Sequence, residues 1–251
     1  SWDWHRIWDD LSARYNLVAL DMPGFGFSGK PRGHKYSIME QADTVEALIR
    51  FYGLSRFHIL AHDYGDTVAQ ELLARQNAGK GAGQWLSCCF LNGGLFPEQH
   101  RALPIQNLLL SPFAPLINKF QTKAKFRASI SSVFGPDTQP GDDDIDGFWK
   151  LISYNYGVRA FPQLIHYITD RRTHKDRWFE ALKQTCVPLA LINGSSDRVS
   201  GAHMVEHYLK TVGRPSFLAQ LNGIGHYPQL ESPEAVLAAY LEFQTSKDAA
   251  E

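Results

Sequence analysis

Asp63 is the residue of this sequence most clearly framed for chemistry. It lies in His58-Ile59-Leu60-Ala61-His62-Asp63-Tyr64-Gly65-Asp66-Thr67-Val68-Ala69, an apolar run, a turn, then apolar residues at helical spacing. Ala61 and Gly65 stand two places to either side of it. This is the form of a nucleophile elbow, a strained strand-to-helix turn that lifts one side chain above a parallel sheet. Here the lifted group is a carboxylate where the better-known version has a serine. A carboxylate needs no deprotonation at neutral pH. Attacking an ester it would make a reactive anhydride; attacking an sp3 carbon with a leaving group it makes an ordinary ester. Asp63 therefore predicts displacement at sp3 carbon through a covalent alkyl-enzyme ester. A helix beginning near Tyr64 favours the ionised form of Asp63.

Two more polar residues follow apolar strands. Val187–Ile192 runs into Asn193-Gly194-Ser195-Ser196-Asp197, and Ser216–Leu221 into Gly223-Ile224-Gly225-His226. In an open parallel sheet, reactive groups collect at the carboxyl ends of strands. Asp63, Asp197 and His226 follow the chain order nucleophile, acid, histidine. In this reading His226 is the general base for a water attacking the ester, and Asp197 orients it. The Tyr64 backbone N–H would hold the developing oxyanion. Taken singly, an Asp after a strand is also a common helix cap and a lone His a common packing residue. Glu98, after the strand Trp85–Leu91, is an alternative acid. Asp197 is preferred because its Gly-x-x-Asp turn follows the strand more directly.

The elements that must position these groups alternate. Trp2–Tyr15 reads as a helix and Leu17–Leu20 as a short buried strand. Ser37 and Glu40 read as a capping box for a helix through about Tyr52, stopped by Gly53. The elbow strand, a helix to about Asn77 and the strand Trp85–Leu91 follow. This rhythm predicts an α/β fold with a mostly parallel sheet flanked by helices. Residues 97–180 break it with prolines, aromatic-rich helical pieces and the acidic run Asp142-Asp143-Asp144, read as a solvated loop. They are expected to form a helical cap inserted between a first core segment, 1–96, and a second, 181–251. In the second, a helix spans about Ala202–Thr211, and Ser232 with Pro233 opens a last helix to about Phe243.

Composition narrows the class. With 251 residues, 44% hydrophobic and 20% charged, the chain is long enough for one substantial core. A net charge of −1 gives no footprint for nucleic acid. The ten histidines form no cluster with cysteine at metal-ligand spacing, so no metal is expected. The two-glycine loop Gly24-Phe25-Gly26 lacks the helix a dinucleotide site needs, and no cofactor is expected. Cys88, Cys89 and Cys186 all read as strand residues; their odd number argues for a reducing, cytoplasmic compartment. No apolar run reaches the roughly 18 residues of a membrane span, since Pro112 and Pro115 interrupt the richest, Leu108–Ile117. The sequence starts at Ser1 and runs straight into an amphipathic segment, so it reads as a piece of a longer protein. Oligomeric state is left open.

These motifs resemble those of the α/β-hydrolase fold, in its epoxide hydrolase and haloalkane dehalogenase branch. Within the branch the closest likeness is to the mesoderm-specific transcript family. It is carried by Ala19-Leu20-Asp21 with Gly24-Phe25-Gly26-Phe27-Ser28, His62-Asp63-Tyr64-Gly65-Asp66, Asn92-Gly93-Gly94 with Phe96-Pro97-Glu98, and His226-Tyr227-Pro228-Gln229-Leu230-Glu231. The first and last are common in the superfamily; His-Asp-Tyr-Gly-Asp is more particular. The family's His-Gly-x-Pro oxyanion loop would fall just before Ser1, and the strand before it between Leu17–Leu20 and Ile59–Ala61.

The resemblance implies an Asp-His-Asp hydrolase acting on an apolar small molecule. Epoxide opening needs an acid, which in that branch comes from cap tyrosines. Tyr167 matches one such position, and Tyr154 and Tyr156 are further substrate-binding candidates. Dehalogenases of the branch place Trp directly after the nucleophile, where this chain has Tyr64; Trp149 and Trp178 are possible cap donors. Epoxide hydrolysis is thus expected ahead of dehalogenation. A third reading is a catalytically weak ligand-binding or interaction member of the fold.

Overall fold

The computed structural model describes residues 1–101, 104–111 and 121–248. Four strands, β1 (Arg56–His62), β2 (Gln84–Leu91), β3 (Leu189–Gly194) and β4 (Phe217–Leu221), form one parallel sheet in sequence order. Leu60 pairs with Cys89, Cys89 with Ala190 and Ala190 with Phe217, so the strand ends line up at one edge. The described helices are α1 (Trp8–Ser12), α2 (Ile38–Phe51), α3 (Tyr64–Asn77), α4 (Pro104–Leu109), α5 (Lys123–Ser131), α6 (Asp142–Ser153), α7 (Phe161–Leu164), α8 (Tyr167–Thr173), α9 (Lys175–Gln184), α10 (Ala202–Thr211), α11 (Pro228–Glu231) and α12 (Pro233–Asp248).

Alternation along the central strands divides the core. Cys88, Phe90, Leu189 and Leu191 pack with residues of α2, α3, α9 and α10. Cys89, Leu91, Ala190 and Ile192 pack with residues of α1 and α12 on the other face. Both faces are covered, which is why these strands read as unbroken apolar runs. A third cluster joins Ile130, Phe134, Ile145 and Phe148 to Leu230 and Tyr227, seating α5 and α6 on the loop that carries His226.

Several sequence expectations are corrected. Leu17–Leu20 forms no strand: it pairs with no neighbour among the described residues, and Val18 is exposed. An extended segment becomes a strand only where another backbone accepts its hydrogen bonds. Trp2–Tyr15 is a 3-10 turn at Trp2–Trp4 and the short α1, with the break held by Trp2 stacked on His5. Ser37 does cap α2, accepting from the Glu40 N–H at 3.2 Å, but Glu40 turns its carboxylate to His34. Gly53, with φ of 62°, ends that helix. The acidic run is the first turn of α6, where N–H groups favour carboxylates, and Asp144 is buried against Arg6. Cys186 is exposed ahead of β3, whereas Cys88 and Cys89 are buried in β2. Pro112 and Pro115 lie outside the described residues. Among those described, no helix is long and apolar enough to cross a membrane, and no group of His, Cys, Asp and Glu could hold a metal ion.

Candidate active site

The turn between β1 and α3 bends at Asp63, whose φ of 47° and ψ of −106° are strained for an L-residue. Such backbone costs about 1–3 kcal/mol and survives only where its surroundings enforce it. Here the Asp63 N–H donates to the Leu91 carbonyl at 3.3 Å, and its own carbonyl accepts from Asp66 N–H at 3.2 Å. A Cβ on Gly65 would meet that of Ala61, so the two small residues face each other across the turn. The Asp63 side chain is thrown upward and stays 35% exposed. Asp63 stands at the N-cap position of α3, but its side chain makes no capping hydrogen bond, and the first helical N–H, that of Tyr64, has no partner within the helix.

Asp197 follows β3 and is almost wholly buried. Its Oδ1 accepts the Val199 N–H at 2.8 Å, and its Oδ2 accepts from Ser200 N–H at 3.1 Å and Asn92 Nδ2 at 3.1 Å. Asn92 also spans Gly194, accepting its N–H at 2.7 Å and donating to its carbonyl at 3.0 Å. The ends of β2 and β3 are thereby stapled together. His226 comes from the loop after β4, its N–H donating to the Val133 carbonyl at 2.8 Å. Glu231 holds this loop by accepting the N–H groups of Gly135, Gly225 and Tyr227 at 2.8, 2.8 and 3.0 Å.

The structure brings Asp63, His226 and Asp197 together. His226 Nδ1 donates to Asp197 Oδ2 at 2.7 Å, and Nε2 faces Asp63 Oδ1 at 3.7 Å, an ion-pair separation rather than a hydrogen bond. Burial opposes the charge on His226, but Asp197 and then Asp63 outweigh it, holding the imidazolium well above its ordinary range. Burial likewise opposes ionisation of Asp63. His226, Arg171 and His62 overcome it, and the carboxyl lies well below the usual carboxylate range. Asp197 is also held down, against its burial, chiefly by His226.

Tyr167, on α8, reaches the same place. Its ring meets the Tyr64 ring edge-on at 5.3 Å, and its hydroxyl accepts from Gln106 Nε2 at 3.2 Å. Burial pushes its phenol up to about 12, so it keeps its proton at neutral pH. The other candidates lie elsewhere. Tyr154 is exposed against Phe27 and Lys30, and Tyr156, 68% exposed, lies under Arg159. Left-handed backbone at Asn155 and Tyr156 breaks the helix there and turns these rings outward. Glu98 is half-exposed and faces His207 at 3.3 Å, away from His226. Trp178 is buried against α3, its indole donating to Glu71 at 2.9 Å, and Trp149 meets Phe126.

Four residues of the site escaped the sequence reading. Arg171, one helical turn after Tyr167, is 1% exposed and lies 4.5 Å over the Tyr167 ring. Its spacing from Tyr167 was a usable signal, though Arg172 obscures it. His62, beside the nucleophile position, donates from Nε2 to the His226 carbonyl at 2.8 Å. His100 sits near Arg171, and burial, with Arg171, lowers it to about 4, leaving it neutral. Asp66 is fully buried over Gly93; burial and the charge of Asp63 keep its carboxyl protonated well above the ordinary range.

Chemically, this arrangement sets an ionised carboxylate beside a histidine anchored by a second carboxylate. The Tyr64 backbone N–H stands beside them, and the Tyr167 phenol, carried by α8, packs on the Tyr64 ring. Such a group of residues can support nucleophilic attack and general-base catalysis.

The sequence of the α/β hydrolase family matches residues 1–239, and the chain belongs to that family. Within it, the chain is 40% identical over 253 residues to mesoderm-specific transcript protein of Mus musculus, covering 98% of this chain and 76% of that one. The haloalkane dehalogenase of Bradyrhizobium elkani superposes with a TM-score of 0.78 at 20% identity, covering 99% of this chain and 87% of the other. An epoxide hydrolase superposes with a TM-score of 0.75 at 17% identity, covering 96% and 86%. At those identities the two structures speak for the fold alone.

Proposed function

We propose that this hydrolase opens epoxides through a covalent ester on Asp63. Asp63 Oδ attacks an sp3 ring carbon; the C–O bond breaks, and the resulting alkoxide takes the Tyr167 hydroxyl proton. His226 then removes a proton from water, which attacks Asp63 Cγ while the Tyr64 N–H holds the oxyanion. The ester C–O bond breaks, the diol leaves, and the proton on His226 restores Tyr167. One water is consumed. Asp197 fixes the His226 tautomer and balances its charge. The reading rests chiefly on one observation, His226 held by Asp197 at 2.7 Å with its other nitrogen turned to Asp63.

The aromatic surroundings Tyr64, Tyr167 and Phe25 suit an apolar substrate body. The described helical pieces within residues 97–180 form the cap over it, and the protein works in the cytoplasm. Halide displacement from a haloalkane would use the same three residues. The phenol of Tyr167, whose ring meets that of Tyr64 next to the nucleophile, favours the epoxide, because only the alkoxide needs an acid.

The test is a single turnover of styrene oxide in H2(18)O. Label entering Asp63, with unlabelled oxygen in the first diol, supports the ester route. Halide release from 1-bromobutane without diol from any epoxide would replace the epoxide reading. Binding without turnover of either, unchanged in Asp63→Asn, would leave a ligand-binding member of the fold.

A further inference from the structure

Arg171 is a full charge enclosed in the protein without an acidic partner. Among the described residues no carboxylate lies within ion-pair distance of its guanidinium, although the side chain is 1% exposed. One of its five N–H groups is well placed, Nε donating to Thr67 Oγ1 at 2.8 Å. The forked end is poorly served. Nη1 stands 3.4 Å from His100 Nδ1, and Nη2 3.5 Å from the Asp63 backbone carbonyl. Both contacts are at the limit of hydrogen bonding. A buried cation without paired acceptors is unfavourable, and such groups are ordinarily retained with an anion.

The surroundings are built to admit this fork. A Cβ on Gly94 would lie 2.2 Å from Nη1, so glycine there leaves the space the guanidinium occupies. Next to it, His100 uses Nδ1 as acceptor, which puts its proton on Nε2, a buried atom with no hydrogen-bond partner among the described residues. Tyr167 brings a hydroxyl and Gln106 an amide N–H to the same side. The wall is rich in donors, and among the described residues no carboxylate pairs with the guanidinium.

We infer that Arg171 is a specificity-determining residue that holds a carboxylate on the substrate, so the enzyme takes electrophiles that are also acids. The inference rests on the Asp63 reading for the position of the reacting carbon. A guanidinium fork matches a carboxylate bidentately, and here it opens beside the Asp63 backbone. Forming the ester neutralises Asp63, a carboxylate that Arg171 helps to keep ionised. A substrate carboxylate then supplies the anion that the guanidinium has lost, in the state where it is needed.

Asp63→Asn mimics that neutral state and allows a binding test that needs no turnover. Calorimetry with 4-phenylbutyrate and the matched 4-phenylbutyramide is run on wild type, Asp63→Asn and Asp63→Asn carrying Arg171→Met or Arg171→Lys. A charge-assisted pair predicts that Asp63→Asn binds the acid at least about tenfold tighter than the amide. Arg171→Met should abolish that preference and Arg171→Lys keep part of it, and wild type should bind the acid more weakly than Asp63→Asn. If Arg171→Met does not fold, Gly94→Ala, which crowds the fork, should reduce the same preference. Equal binding of acid and amide, a preference that survives these changes, or no binding of the acid overturns the inference. Its failure is separable from that of the Asp63 mechanism, which the oxygen-labelling experiment reads on a neutral epoxide.

Discussion

The carbonyl oxygen of His226 accepts a hydrogen bond from Nε2 of His62 at 2.8 Å. The residue preceding the nucleophile position thus holds the loop that carries the base, across the top of the sheet. His62 is buried, and its ring also touches Tyr227, so its position is fixed independently. Removing the donor strands a buried carbonyl, which costs about 1–3 kcal/mol. His62→Phe should therefore lower kcat roughly tenfold with little change in KM. His62→Gln, which can still donate, should recover part of it. Steady-state kinetics on the three proteins check this.

The same geometry separates the two chemical steps. Asp197→Asn leaves a side chain of equal size but removes the charge that supports imidazolium at His226, and its amide can invert the tautomer. Ester formation needs neither, so it should persist. Ester hydrolysis should fall by a factor on the order of 10³–10⁴, by analogy with triads in which the orienting acid is lost. Intact-protein mass after mixing with styrene oxide should show a stable adduct in Asp197→Asn and none in Asp63→Asn.

How much of this was legible beforehand follows from where each signal resides. Asp63, Asp197 and His226 follow β1, β3 and β4, whose apolar residues are written into the sequence; β3 is buried along its whole length, whereas β1 and β4, at the two edges of the described sheet, are largely half-buried. Leu17–Leu20 has the same look, but a strand depends on a neighbour that local sequence does not encode. Arg171 stands one helical turn after Tyr167, but with Arg172 beside it that spacing alone does not select it. Only the space left by Gly94, 77 positions earlier, makes Arg171 the buried one. Tyr154 and Tyr156 are the opposite case: two consecutive left-handed residues, Asn155 and Tyr156, interrupt a helix that residue types do not mark as ending.

Tyr167 provides a way to tell the leaving group. Its phenol stays protonated to about 12, so it can serve an alkoxide over the whole neutral range. Tyr167→Phe should slow epoxide opening by about 10²-fold or more, within the span typical of a positioned acid. Displacement of bromide from an alkyl bromide, which needs no proton, should change far less. Rapid-quench measurement of ester formation with the two electrophiles reads the difference directly.

Charge at His226 predicts the pH dependence. In the resting site Asp197 and Asp63 both sustain the imidazolium, which raises its pKa above the ordinary value. Alkylating Asp63 removes one of these carboxylates, so the histidine becomes easier to deprotonate once the ester exists. Hydrolysis requires the neutral base and therefore speeds up as pH rises. The adduct should accumulate at about pH 5, below the ordinary imidazole range, and vanish at higher pH, as followed by quenched mass measurement.

Asp66 makes an opposite, purely energetic prediction. Its carboxyl is buried, and burial together with the charge of Asp63 raises its pKa well above that of an unfolded aspartate. The unfolded chain releases this proton near pH 4 while the folded protein keeps it, so above that value the folded state binds more protons. Stability then declines with rising pH until the folded group also ionises. Asn at this position is neutral and nearly the same shape. Asp66→Asn should equal wild type in stability at about pH 4 and exceed it increasingly toward neutrality, by about 1.4 kcal/mol per pH unit while the folded carboxyl stays protonated. Urea unfolding of both proteins across that range measures the difference, and Gly93→Ala, which would press a Cβ into the Asp66 carboxyl, should destabilise at every pH.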